Sequence, residues 1–347
     1  MTEVLPVVKI LVIATVAFLV ALFSTPLLTH FLYRYHLVKK IRDNGSAPIM
    51  SALHQGKQGT PTMGGMLVWV TVLFLVLVFF YLSEWGVVPE MFNFLSRAET
   101  LLPLGALVAS AIVGLVDDWF NVRGWGPRGG GMQIRYKLII YTLIAAVGAW
   151  WFYYKLDWTS LYLPVVGYID IGWWYVPLFI FIIVATAFSV NEVDGLDGLA
   201  GGSLLAAFGA FGAIAFVLGK EDLAAFCAAI AGALLAFLWF NINPARFFMG
   251  DTGSMSLGVT LGIVAMLTNT VWLLPIIGLL LVLESLSVII QILSKKFRGK
   301  KVFLSTPLHH HLEAIGWPEP KIVMRFWVIS GVLAVVGIIL FLVDRIA

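Results

Sequence analysis

Ten uninterrupted apolar runs divide the sequence, at 7–30, 63–82, 101–116, 136–153, 174–190, 199–218, 222–243, 255–269, 271–293 and 323–345. A helix needs about 20 such residues to cross the hydrocarbon core of a bilayer. A water-soluble fold has no place to bury ten segments of this kind. The runs are continuous and do not alternate apolar with polar, so they read as helices and not as barrel strands. Composition agrees. Of 347 residues, 61% are hydrophobic and 12% charged, against about 25% charged in soluble domains. Disorder and a soluble fold are both excluded. The expected fold class is an all-α integral membrane protein, one polytopic domain over 1–347.

Details of the runs sharpen this. Ser254 to Leu293 is about twice one span and divides at Asn269-Thr270, its one polar pair with turn character. The first run is long and precedes a basic loop without a small-residue cleavage pattern, so it reads as an anchor. No internal repeat argues for two inverted halves. The net charge of +3 gives no reason to expect a nucleic-acid partner, and the single cysteine, Cys227, excludes a disulfide framework.

Basic residues are distributed unequally. The segments after the odd-numbered runs hold Arg34, Lys39, Lys40, Arg42, Lys57, Arg123, Arg128, Arg135, Lys137, Arg246, Lys295, Lys296, Arg298, Lys300, Lys301, Lys321 and Arg325, 17 of the 22. Lys9, Arg97, Lys155, Lys220 and Arg345 lie on the other side. Positively charged loops stay in the cytoplasm. These segments are therefore expected inside, with both termini outside.

The acidic and histidine motifs share that expected cytoplasmic face. Asp117-Asp118 follows the third run and Asp194-Gly195-Leu196-Asp197-Gly198 the fifth. Asn241 and Phe248-Met249-Gly250-Asp251 follow the seventh, and His309-His310-His311 the ninth. Adjacent carboxylates repel unless a cation lies beside them, and hard oxygen ligands suit magnesium and its phosphate partners. The plainer alternative is a solvated helix end for Asp117-Asp118 and helix caps for Asp194, Asp197 and Asp251. Three successive histidines cannot all point one way on a helix, which argues against a zinc site. They suit phosphate binding or proton transfer. Lys57 precedes Gly59-Thr60-Pro61-Thr62-Met63-Gly64-Gly65, which lacks the ending of a Walker A loop. That run is either a plain turn or a source of backbone donors.

At this point the motifs resemble a known family. Lys57–Gly65, Val116-Asp117-Asp118, Asp194–Ala200 and Phe248–Ser254 are similar to the polyprenyl-phosphate sugar-1-phosphate transferases. Pro307–Glu313 and Gly316–Trp327 resemble its phospho-N-acetylmuramoyl-pentapeptide branch and not the N-acetylglucosamine branch. The resemblance implies a ten-helix bundle with a cytoplasmic-face cleft in a bacterial inner membrane, working as a homodimer among membrane lipids. It implies transfer of phospho-MurNAc-pentapeptide from UDP-MurNAc-pentapeptide to undecaprenyl phosphate, giving lipid I and UMP, with Mg2+ as cofactor. This is the first membrane step of peptidoglycan synthesis. By the same resemblance Asp251 is the metal ligand, Asp117 the base that prepares the lipid phosphate, and Asp118 a helper in binding metal or phosphate. The uridine pocket falls on Lys57, Gly195, Leu196, Asp197, Asn241 and Phe248, with Asp194 at its edge. Thr62, Lys137 and Asn191 line the cleft, and His309, His310 and His311 contact the diphosphate or sugar.

The chain departs from the family pattern at two places. Asn191-Glu192-Val193 replaces the usual Asn-Leu-Thr and adds a carboxylate. Asn121 stands where a lysine is common, with Arg123 and Arg128 nearby as candidate replacements. Direct attack by the lipid phosphate and a two-step route through an aspartyl intermediate both remain open. The rival class is a transporter, for which Glu284 inside the ninth run is the best support. Glu284 is the one ionisable residue expected at mid-depth, so a hydrogen bond to a neighbouring helix is the favoured reading. A non-catalytic scaffold leaves four acidic clusters on one face unexplained.

Overall fold

The computed structural model describes residues 4–38, 57–126 and 130–346. Lys39, Lys40, Arg42 and Arg128 lie outside the described residues. Helices dominate: α1 (Val4–Arg34), α2 (Met66–Glu84), α3 (Leu101–Arg123), α4 (Ile134–Lys155), α5 (Tyr175–Val193), α6 (Leu199–Val217) and α7 (Glu221–Asn241). They continue with α8 (Gly250–Leu267), the short α9 (Leu274–Ile277), α10 (Leu279–Arg298), the short α11 (Leu308–Ala314) and α12 (Glu319–Ile346). Among the described residues nine helices are long and apolar enough to cross a membrane, ten if the bent pair 271–277 and 279–298 counts as one. The chain is a multi-pass membrane protein.

α8 is the axis of the bundle. Every residue from Gly250 to Leu267 is buried, and α3 and α5 pack along it. Small residues permit the approach, since association within a bilayer relies on close van der Waals packing. The outer surfaces of α1, α2 and α12 are apolar and exposed, as a lipid-facing surface requires.

Three expectations need correction. The ninth run is not one straight helix: α9 and α10 meet at Gly278 with a bend of 79°. α10 is amphipathic with its polarity reversed. Glu284, Ser285, Ser287, Gln291 and Ser294 are buried, while Leu283, Leu286, Ile289, Leu293 and Phe297 are exposed. Its polar stripe therefore faces protein and its apolar stripe faces outward, which apolar length alone does not reveal.

The second correction is a strand pair. Ser160–Leu163 (β1) and Gly167–Asp170 (β2) form an antiparallel hairpin with Ser160 opposite Asp170 and Tyr162 opposite Tyr168. The Asn269 side chain accepts the Tyr162 N–H at 3.0 Å and donates to the Ser160 carbonyl at 3.3 Å. Asn269 adopts φ +51°, which ends α8 and divides the long run where expected.

The third concerns helix ends. α3 continues past residue 116 to Arg123, and α8 begins at Gly250 rather than 255. Asp117, Asp118 and Asp251 therefore sit on helices, not in loops, and all three are buried.

Candidate active site

The polar motifs meet at one end of the bundle, around the first turn of α8. Asp118 reaches across from α3 and accepts the backbone N–H of Asp251 at 3.1 Å and of Thr252 at 3.0 Å. These are two of the N–H groups that a helix start leaves without a partner. A carboxylate there also meets the positive end of the helix dipole. Thr62 Oγ1 donates to the same carboxylate at 3.4 Å. Asp118 is thus a cap, for a helix 133 residues further along the chain.

Close approach of α3 to that turn needs Gly114. A Cβ at this position would overlap the Asp251 carbonyl. Gly65 plays the same part from the other side, against the backbone of Gly253. The N–H groups of Gly64 and Gly65 donate to the carbonyls of Phe248 and Met249, each at 2.8 Å. They join two loops and are not spare donors for a phosphate, as the glycine run had suggested.

Lys137 of α4 places its ammonium between two carboxylates, 2.7 Å from Asp117 Oδ2 and 2.6 Å from Asp251 Oδ2. Asn191 Nδ2 donates to Asp251 Oδ1 at 2.6 Å and to Ser254 Oγ at 3.0 Å. The Met132 N–H donates to Asp117 Oδ1. One cation between two buried anions removes the repulsion they would otherwise suffer. Four segments contribute: the ends of α3 and α5 and the starts of α4 and α8.

A second cluster adjoins the first. Asp194 Oδ2 accepts the Gly250 N–H at 3.1 Å, and the Ala245 N–H donates to Asp197 Oδ2 at 3.1 Å. Neither caps α6, whose N-cap is Gly198 without a side-chain bond. The Asn241 amide spans two loops, accepting the Gly198 N–H at 2.9 Å and donating to the Phe247 carbonyl at 2.8 Å. Lys57 Nζ lies 2.7 Å from Asp197 Oδ1 and 5.8 Å from the Phe248 ring centre. Phe248 is half-buried, while Leu196 is buried.

The three histidines point three ways along α11. His309 is sealed against Glu284, with Nδ1 3.1 Å from Oε2, and its Nε2 faces the Gly195 backbone. Its backbone N–H donates to both Glu284 oxygens at 3.2 Å. His310 Nδ1 lies 2.7 Å from Glu313 Oε2. His311 Nδ1 accepts the Leu304 N–H at 3.3 Å, and its ring meets Phe303. Glu284 thus has a specific partner on a neighbouring helix.

Sequence reasoning gave no role to Glu313, Asn243 or Glu319. Asn243 Nδ2 donates to Asp197 Oδ2 at 3.0 Å. Glu319 Oε1 lies 2.5 Å from Lys57 Nζ across 262 residues of chain. An acidic residue after a proline at a helix start reads as a cap, and no local signal announces such a partner.

Helices that cross a membrane around a buried ammonium–carboxylate cluster, beside a second polar cluster built from loops, define a polytopic membrane protein with its polar chemistry at one end. Comparison with known proteins specifies which. A family model described as glycosyl transferase family 4 matches residues 100–269. The phospho-N-acetylmuramoyl-pentapeptide-transferase of Chloroflexus aggregans is 38% identical, covering 96% of this chain and 90% of the relative. Those of Geobacillus thermodenitrificans and Bacillus anthracis are 39% and 40% identical, each covering 95% of this chain and 97% of the relative. The chain belongs to the phospho-N-acetylmuramoyl-pentapeptide-transferase family and is a transferase of peptidoglycan precursor synthesis.

Proposed function

We propose that this enzyme moves phospho-MurNAc-pentapeptide from UDP-MurNAc-pentapeptide to undecaprenyl phosphate, releasing UMP and leaving lipid I in the membrane. The carrying observation is the Asp117–Lys137–Asp251 cluster, with distances of 2.7 and 2.6 Å, at the buried start of α8. A phosphate-transfer site needs cationic and hydrogen-bonding groups aimed at developing charge in a place with little water. It also needs an anionic group able to take or orient a proton.

In this reading the uridine end of the donor enters beside Phe248, whose half-buried ring offers a stacking face. The loop carrying Phe248 leads within three residues to Asp251, so nucleotide and diphosphate are placed by one segment. Asp117 takes or orients the proton of the lipid phosphate. That phosphate attacks the β-phosphorus directly, and the bond to the UMP oxygen breaks. Lys137 meets the phosphate charge, and Asp118 holds Asp251 in place through the backbone.

The donor set fits magnesium. Asp117 and Asp251 present hard oxygens on either side of a position that a cation, the Lys137 ammonium, occupies. No three acidic, histidine or cysteine side chains form a closed cage among the described residues. Magnesium needs none, since it takes one or two carboxylates and completes its shell with phosphate oxygens and water. When bound at Asp251 it would neutralise the diphosphate and ease the departure of UMP.

The basic asymmetry of 17 against 5 supports a cytoplasmic site in a bacterial inner membrane. A homodimer belongs to the same reading. Light scattering in detergent checks it, a monomer at all concentrations ruling it out. The test of function is UMP release in detergent from UDP-MurNAc-pentapeptide and undecaprenyl phosphate, with magnesium and with EDTA. UMP release that requires both substrates supports the assignment. Full turnover in EDTA, or near-normal turnover by Asp251→Asn, would remove the metal from it. No UMP under any condition would remove the reaction.

A further inference from the structure

Glu319 opens α12 and has no part in the steps above, yet its carboxylate gathers donors from three other segments. Oε1 accepts Lys57 Nζ at 2.5 Å and the Asp197 N–H at 2.7 Å, and Oε2 accepts Asn243 Nδ2 at 3.3 Å. Asp197 shares two of these partners, Lys57 at 2.7 Å and Asn243 at 3.0 Å. Two carboxylates therefore share one ammonium and one amide. The side chains of Lys57, Asp197 and Glu319 are 17%, 3% and 12% exposed, so water screens them little.

A second contact comes from the same helix. Trp327 lies eight residues on, which returns to the same face of a helix. Its Nε1–H donates to the Gly198 carbonyl at 2.9 Å. α12 thus grips the backbone at both Asp197 and Gly198. The segment it grips lies between the end of α5 at Val193 and the start of α6 at Leu199. Such a loop owes its shape to outside partners for its backbone groups. It carries Gly195, Leu196 and Asp197, three of the residues assigned to the uridine pocket.

We propose that Glu319 is a positioning residue for nucleotide binding: through Lys57 and the Asp197 amide it holds the Asp194–Gly198 loop in the shape that receives the uridine end of the donor. This rests on the nucleotide assignment made under the proposed function. Glu319 touches no reacting atom, so its loss weakens binding more than chemistry.

The test combines kinetics with direct binding of UMP by calorimetry, on wild type, Glu319→Gln, Glu319→Asp, Lys57→Met and the double variant Glu319→Gln/Lys57→Met. Glu319→Gln keeps size and removes charge. It should raise KM for the UDP-linked donor and weaken UMP binding about tenfold, or about 1.4 kcal/mol. Its kcat and its KM for undecaprenyl phosphate should stay within about threefold. Glu319→Asp should recover part of the affinity. The double variant should be no worse than the poorer single one, because both remove the same contact. Unchanged UMP affinity in Glu319→Gln, equal losses in kcat and both KM values, or additive losses in the double variant would each overturn the proposal. A wild type that binds UMP but releases none would sink the transfer reaction, leaving the UMP affinities of the variants to decide the role of Glu319. A wild type that binds no UMP would sink both.

Discussion

Glu284 and His309 meet in a contact closed to solvent, Oε2 standing 3.1 Å from Nδ1 with neither side chain exposed. The same carboxylate accepts the His309 backbone N–H, so it ties α10 to the start of α11. An ionisable residue in a span marks function by default. Here its partner is the first residue of the histidine triplet, whose ring packs against Gly195. The membrane carboxylate that would have supported a transport pathway instead anchors a loop of the transferase.

Truncating one member of this pair strands the other. Glu284→Ala should destabilise the protein by about 1–3 kcal/mol, the usual cost of leaving a buried donor such as the His309 N–H without its acceptor. Glu284→Gln still accepts from the His309 N–H and should lose less. Thermal unfolding in detergent measures both, and an unchanged midpoint for Glu284→Ala would show the pair to be dispensable.

Asp118 is expected to behave as a cap and not as a reacting group. Asp118→Ala removes both acceptors for α8, a loss of about 0.5–2 kcal/mol, and releases the turn that carries Asp251. Turnover should drop far more than the melting temperature. Asp118→Asn keeps one acceptor oxygen and should retain more activity than Asp118→Ala. Equal inactivity of the two variants, with unchanged stability, would instead make the carboxylate charge itself essential.

Gly114→Ala tests the close approach of α3 to α8. The added methyl meets the Asp251 carbonyl, a backbone atom that cannot swing aside. Overpacking of this kind costs about 1–3 kcal/mol. Gly105→Ala is the control, because its Cβ would meet nothing within 4 Å on the same helix. Circular-dichroism melts of the two variants should separate clearly, and matching melts would deny the contact.

Phe248→Ala and Asp117→Asn should divide recognition from chemistry. The first should weaken UDP-sugar binding by about 1–3 kcal/mol, the size of one base–aromatic stack, with undecaprenyl-phosphate affinity nearly unchanged. The second should leave nucleotide affinity close to wild type and reduce the rate by about 10²-fold or more, as removal of a general base does. Calorimetry and turnover on both decide the matter. Equal losses of nucleotide affinity would merge the two clusters into one undivided site.

Orientation is open to labelling because the native cysteine, Cys227, is buried and gives little background. Cysteines placed at Asp157 or Lys220 should react with an impermeant reagent added to intact cells, and those at Arg123 or Lys300 should not. The reverse pattern would turn the bundle over and move the site to the outer face.

Much of the architecture was legible without coordinates, because apolar length is a local property. Nine of the ten expected spans coincide with single helices among the described residues, with ends displaced by up to seven residues. Ends shift where polar residues continue a helix: Asp117 and Asp118 lie beyond the apolar run, where the plain reading is a solvated helix end, yet they are buried within α3 with partners on α4 and α8. The break at Gly278 and the reversed polarity of α10 were hidden because total hydropathy does not record which side of a helix faces protein.

The sequence by itself determined the membrane class, the number of apolar runs and the residue types that carry the chemistry. Each depends on neighbours in the chain, through hydrophobic transfer of contiguous segments and short motifs. Only the tertiary structure decided how those residues are partnered. It set Lys137 between Asp117 and Asp251, made Asp118 the cap of a distant helix, and joined Glu284 to His309 and Glu319 to Lys57. A buried charge takes its partner from whichever helix packs beside it. Packing among residues 25 to 262 positions apart is set by the shapes of whole helices, and no local stretch of sequence encodes it.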